Sequence, residues 1–294
     1  MRLTPSTQNR NFLQNINDLQ NRLNKAQDEV SSGKTVTRLS DNPFAAAQAS
    51  KLMSVIGAND QFIALNEQLL GRLEVTDSAL QGMTRSVDSA RVLAAQALSG
   101  TTTPEARLAL AQNVDGVKAQ ILSASNTQVN GVFLFGGTQS NTQPFVDAGG
   151  TITYNGNDEA IHQRLDRSVV IQTNITGQDL FMGSPSVFTT LDDLKAAILA
   201  NDAGAIRARL GDLDAVSDRI NAANAVVGNN LQLVQQLQRA LPENNEALQR
   251  HISSLTDANL VESISDMNLT NQAIQVSLNS QSQIQHLSLL DFLR

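Results

Sequence analysis

Apolar residues recur at alternating steps of four and three through most of this 294-residue chain, and that rhythm constrains the fold more than any other feature. Near the start, Phe12, Ile16, Leu19, Leu23, Ala26 and Val30 keep it. A longer series runs Phe62, Asn66, Leu69, Leu73, Thr76, Leu80, Met83, Val87, Ala90, Ala94 and Ala97. A third takes Leu110, Val114, Val117, Ile121 and Ala124. The fourth is Ile206, Leu210, Leu213, Ser217, Ile220, Asn224, Val227, Leu231 and Val234. The fifth is Leu260, Ile264, Met267, Asn271, Ile274 and Leu278, which shifts phase to Ile284 and Leu287. A mean step of about 3.5 residues is the seam of helices packed along one another.

Helix ends are marked as well. Asn42 followed by Pro43 offers an N-cap and a proline at the first helical position. Gly100 closes that helix, and Thr103-Pro104-Glu105 opens the next. A helix from 43 to 99 would be about 85 Å long at 1.5 Å per residue. Composition agrees with thin helical layers: no Trp, one Tyr, 3% aromatics, and 54 Asn plus Gln against 49 charged residues. A core without large rings is built from aliphatic side chains and Ala.

The middle differs. Residues 131–188 hold eight of the 17 glycines and six of the ten aromatics: Phe133, Phe135, Phe145, Tyr154, Phe181 and Phe188. Thr151-Ile152-Thr153-Tyr154 reads as a strand entering a turn at Asn155-Gly156, and Ser168-Val169-Val170-Ile171-Gln172-Thr173 reads as another. From Leu191 the helical pattern returns and runs to the end. The expected fold is mainly α, an elongated antiparallel helical bundle or coiled coil with a small β-rich insertion at the far tip. Its parts would be residues 1–40 with 255–294, a terminal helical coiled coil; 41–130 with 190–254, a rod-like bundle; and 131–189, the insertion.

On this out-and-back path, segments 1–32 and 258–294 lie side by side and antiparallel. Each carries one apolar stripe. One reading makes them a self-contained pair. The other leaves them loose in the single chain and packed fully only against further copies or partners, because two narrow stripes bury little area.

Chemistry is hard to find. Without cysteine there is no disulfide, thiolate metal site or thiol nucleophile. A formal charge of −7 argues against nucleic acid as a partner. No run of about 18 apolar residues exists to span a membrane. His162, His251 and His286 are far apart and read as surface histidines. Gly136-Gly137 reads as a turn after a strand, and Asp192-Asp193 as a cap before an apolar helix. The expectation is a non-enzyme with no catalytic residue, no cofactor and no metal.

Ser31-Ser32-Gly33-Lys34, then Arg38-Leu39-Ser40-Asp41-Asn42-Pro43 and an Ala-rich helix start, resembles the N-terminal signature of the bacterial flagellin family. The ending Leu287-Ser288-Leu289-Leu290-Asp291-Phe292-Leu293-Arg294 resembles the family's C-terminal motif. Asp41-Asn42-Pro43, together with Gly131-Val132-Phe133-Leu134-Phe135-Gly136-Gly137 and Asn141-Thr142-Gln143-Pro144-Phe145, is similar to the family's hook–filament junction subunits rather than to flagellin proper. The resemblance implies a structural adaptor of the bacterial flagellum, extracellular and exported by the type III route without a cleaved signal peptide. Its partners would be itself in a ring or tube, a neighbouring hook-associated protein, the hook protein or flagellin, and an export chaperone. The alternatives are a filament flagellin or, from another class, a secreted binding module whose insertion exposes its aromatics. Residues expected in the assembly interface are Phe12, Ile16, Leu19, Leu23, Ile274, Leu278, Ile284, Leu287 and Leu290. Those expected in the bend and helix start are Ser32, Gly33, Lys34, Arg38, Asp41, Asn42 and Pro43.

Overall fold

The structure, a computed structural model, describes residues 5–99 and 102–292, with side chains from Asn9 to Ser99 and from Thr102 to Gln283. Gly100, the expected helix stop, lies outside the described residues. Among those residues are six α-helices: α1 (Pro5–Ser32), α2 (Pro43–Ala97), α3 (Pro104–Ser125), α4 (Val187–Ala200), α5 (Ala203–Thr256) and α6 (Leu260–Phe292). Between α3 and α4 stand short strands β1 (Gln128–Val129), β2 (Val132–Phe133), β3 (Phe145–Ala148), β4 (Thr151–Tyr154), β5 (His162–Arg164) and β6 (Val170–Gln172). The expected helical protein with a small β-rich middle is what the chain forms.

The chain divides into two compact units, residues 59–243 and residues 1–58 with 244–294. In the first, Leu73, Leu80, Met83, Val87, Ile121, Leu213, Ile220, Val227 and Val234 are all buried in one apolar cluster. These are the seam positions of the second, third and fourth series, so the periodic residues do form the core. Thr103 caps α3 by accepting from the Ala106 N–H at 3.2 Å, with Pro104 at the first turn.

The β region is three separate two-stranded antiparallel ribbons, β1–β2, β3–β4 and β5–β6. An isolated two-stranded ribbon is marginal in water. Here the aromatics supply the missing core. Phe145 lies 4.9 Å from Phe181, 5.0 Å from Tyr154 and 5.9 Å from Phe188, ring centre to ring centre. Phe135 meets Phe181 edge-on at 5.5 Å. Phe135, Phe145, Phe181 and Phe188 are buried, so the alternative of an exposed aromatic patch is overturned.

Two expectations on the returning half need correction. The helical pattern starts at Val187, not Leu191, and breaks at Asn201 and Asp202. Asn201 takes φ +59° and closes α4, while the Asp202 carboxylate accepts from the Gly204 and Ala205 N–H groups and opens α5. Asp192 and Asp193 therefore sit inside α4 and cap nothing. They are ion-pair partners: Lys118 Nζ reaches both Asp192 oxygens at 2.7 and 2.8 Å, and Arg209 reaches Asp193 at 2.8 Å. Burial of Val187, Phe188, Leu191 and Leu194 draws the helix start back past the acidic pair.

Candidate assembly interface

The second unit carries the terminal helices and the bend. At the end of α1 the Ser32 hydroxyl donates to the Asp28 carbonyl at 2.6 Å, and the Gly33 N–H donates to the Glu29 carbonyl at 2.9 Å. Gly33 has φ +70°, and a Cβ placed there would touch nothing within 4 Å. Backbone conformation alone, not crowding, calls for glycine. Beyond it the chain runs antiparallel to the α5–α6 connection. Thr35 N–H donates to the Thr256 carbonyl at 2.8 Å, Ala258 N–H to the Gly33 carbonyl at 2.9 Å, and Lys34 bridges Asp257.

The next turn is built on one carboxylate. Asp41 Oδ2 accepts from the Arg38 N–H at 2.8 Å, the Thr37 N–H at 3.1 Å and the Thr37 hydroxyl at 3.2 Å. Asn42 Oδ1 then accepts from the Ala45 N–H at 3.1 Å and caps α2, with Pro43 first in the helix. Ser32, Gly33, Lys34, Arg38, Asp41, Asn42 and Pro43 thus share one local structure. The Arg38 N–H foremost, with Thr37, holds the Asp41 carboxyl below its ordinary value. A lowered value means the turn is stabilised above the ordinary carboxylate pKa and loses that support as pH falls through the lowered one. Measured against exchange of the unstructured chain at the same pH, the Thr37 and Arg38 amides should therefore lose protection as the solution is acidified toward that range. In Asp41→Ala that protection should be absent at every pH.

Helices α1 and α6 run antiparallel along one another. Arg22 pairs with Asp266 at 3.1 Å, and the Ser263 hydroxyl donates to Glu29 at 2.9 Å. On α1 the expected stripe faces inward: Phe12, Ile16, Leu19 and Leu23 are half-buried and Ala26 is buried. On α6 the covered line is Ser263, Met267, Thr270, Ile274 and Ser277. That line shares Met267 and Ile274 with the seam read from sequence but not Leu260, Ile264, Asn271 or Leu278, which are exposed. The side chains of Ile284, Leu287 and Leu290 lie outside the described residues.

At about 100° per residue the uncovered apolar side chains of α6 spread round its circumference. Leu260, Ile264 and Leu278 flank the covered line, with Leu278 50% exposed. Leu269 and Val276, 61% and 63% exposed, lie on the far side, and Val261, 80% exposed, between the two. Sequence reasoning missed Val261, Leu269 and Val276 because they fall off the single seam it followed. It also missed Leu39 and Phe44, both exposed at the bend. Their signal was available: large apolar residues beside cap residues, where no seam needs them.

Among the described residues no group of three or more His, Cys, Asp and Glu could hold a metal ion. No helix among them is long and apolar enough to cross a membrane. His251 faces Gln48, its Nε2 3.2 Å from the amide nitrogen, and His162 is exposed on β5.

Comparison with known proteins bears on a bend and helix pair of this kind. Residues 6–140 match the family model for the bacterial flagellin N-terminal helical region. That match takes in the bend, all of α2 and α3 and the first β ribbon. The likeness reaches well beyond that region. Flagellar hook-associated protein 3 of Escherichia coli K12 is 25% identical over 287 residues, covering 89% of this chain and 90% of that one. Flagellin FlaB1 of Treponema pallidum is 25% identical over 239 residues, covering 81% and 80%. Among solved structures, flagellar hook-associated protein 3 of Legionella pneumophila superposes with a TM-score of 0.65 at 14% identity, covering 70% of this chain and 98% of the other. At that identity the last likeness speaks for the fold.

Proposed function

We propose that the chain is a structural adaptor subunit of the bacterial flagellum, joining hook to filament through its terminal helices and catalysing nothing. The observation that carries this is the circumference of α6: apolar residues on every side, with α1 covering one. A helix that is apolar all round belongs in an interior. Here that interior is supplied by other chains. Each large side chain that becomes covered contributes roughly 1.5–3 kcal/mol once the contact closes. Likeness to flagellar hook-associated protein 3 over nearly the whole chain supports the same reading.

In this reading Phe12, Ile16, Leu19, Leu23 and Ile274 hold the pair together, and Leu278 with Ile284, Leu287 and Leu290 meets further copies, a neighbouring hook-associated protein, hook protein or flagellin. The subunit works outside the cell, reaches that place through the flagellar export channel, and is accompanied by a chaperone until then. Likeness to a Treponema flagellin keeps the filament subunit as the second reading.

Purified hooks mixed with the full chain and sedimented separate the two. An adaptor should load at hook ends and stop until the next junction protein is added. Ile264→Asp with Leu278→Asp should abolish loading while leaving the thermal transition of residues 59–243 in place. Long filaments grown by the chain alone would establish flagellin instead, and unchanged loading by the double variant would overturn the role of α6.

A further inference from the structure

The β5–β6 ribbon is packed on one side and charged on the other. Gln163 and Ile171 point inward, while His162, Arg164, Val170 and Gln172 form its exposed face, with Arg167 exposed in the turn. Three bonds fix it in place. Gln163 Nε2 donates to the Leu65 carbonyl at 3.2 Å, Asn66 Nδ2 to the Leu165 carbonyl at 3.0 Å, and Asn230 Nδ2 to the Gln172 carbonyl at 3.0 Å. The ribbon is thereby seated on α2 and α5 within one compact unit. Asp166 offsets one of these charges, though one of its oxygens is held by the Ser168 and Val169 N–H groups and the Ser168 hydroxyl. Arg164 and Arg167 have no ion-pair partner among the described residues. On a chain of net charge −7, a rigid cationic face is the exception.

Its complement is on α2 at the same level. Glu67 and Glu74 are exposed, one heptad apart, and also without an ion-pair or hydrogen-bond partner among the described residues. Gly71 and Ser78, small residues beside them on that flank, leave both carboxylates standing clear. At about 100° per residue Leu65 and Leu69 fall on one side of the buried Leu73, and Glu67 and Glu74 on the other. The ribbon is tied to the Leu65 side, so the cationic and acidic faces look in different directions and cannot meet within one chain.

We propose that the β5–β6 face docks on the Glu67–Glu74 flank of a second copy of this chain. Two unlike patches on different sides of one subunit make a head-to-tail contact, which closes into a ring where the rotation per step permits. This rests on the adaptor reading for its biological place, and adds to it the side-by-side contact between copies. Exposed ion pairs contribute little individually, so the function of these charges is to set the register and exclude wrong pairings while apolar contacts elsewhere supply affinity.

The absence of native cysteine makes the contact directly testable. Full-length chain carrying Val170→Cys is mixed at high concentration and low salt with full-length chain carrying Ser78→Cys, and oxidised glutathione is added. The 170–78 disulfide dimer should exceed either like–like dimer roughly fivefold, and the excess should shrink at high salt. Arg164→Glu with Arg167→Glu in the first chain should remove the excess. Glu67→Arg with Glu74→Arg in the second should then bring it back. The 1:2:1 yield of random pairing, or an excess indifferent to charge reversal, overturns the proposal. Hook loading is scored separately. Loading without the 170–78 excess overturns this contact and spares the adaptor, whereas the excess without loading does the reverse.

Discussion

Replacing Phe145 by alanine is expected to lower the unfolding free energy of residues 59–243 by about 3–5 kcal/mol, among the larger costs a single substitution can impose. The ring is fully buried and lies within 6 Å, centre to centre, of Tyr154, Phe181 and Phe188. Its backbone is held as tightly: Phe145 N–H donates to Asn126 Oδ1 at 3.0 Å, and its carbonyl accepts from Asn126 Nδ2 at 2.9 Å. Relaxation around the hole is therefore restricted. Gly177 closes the far side, where a Cβ would come 2.7 Å from the Phe145 ring. Denaturant unfolding followed by circular dichroism gives the free energy. The emission of Tyr154, the only tyrosine in a chain without tryptophan, reports the cluster directly. A loss below about 1 kcal/mol would show that the ribbons do not depend on this core.

The second large effect concerns the ends. Deleting residues 1–32 and 264–294 should abolish hook loading and still leave a folded, monomeric protein with a cooperative transition. The two compact units differ in what they bury. Residues 59–243 contain the whole aliphatic and aromatic cluster. In the terminal unit the buried apolar side chains are small, Ala26, Ala45 and Ala49, and Ser263 and Thr270 sit beside them in the covered line. Small and polar side chains contribute little on burial, so the terminal pair is a weak structure until something covers its remaining apolar faces. Loss of the melting transition on truncation would overturn this division of roles.

Much of this architecture was legible in the residues. Asn42, Thr103 and Pro104 act through local hydrogen bonds, and local chemistry reads well from a sequence. The aromatics read as a core because they cluster in one short stretch that otherwise lacked one. What failed was phase. Where a helix has one apolar stripe, as α1 does, the stripe names the buried face. Where apolar residues go all round, as in α6, several seams fit the same residues, and the covered line takes Thr270 and Ser277 where the sequence seam takes Asn271 and Leu278. Asp192 and Asp193 failed for a related reason. An acidic pair before an apolar run fits a cap as well as it fits a helix interior paired with Lys118 and Arg209, residues that are distant in sequence.

The tie between the Gly33–Val36 stretch and Thr256–Ala258 has a consequence in time. Its partners are more than two hundred residues apart, and Arg22 and Asp266 are 244 apart. Contacts of such separation close late, because the entropy of a long loop must be offset before they are made. Residues 59–243 can reach their native contacts from their own stretch of chain. The bend, α1 and α6 must wait for nearly the entire polypeptide. A chain delivered end first would thus arrive with its N-terminal helix still unpartnered, and that helix would complete its fold last, at the place where the final residues emerge.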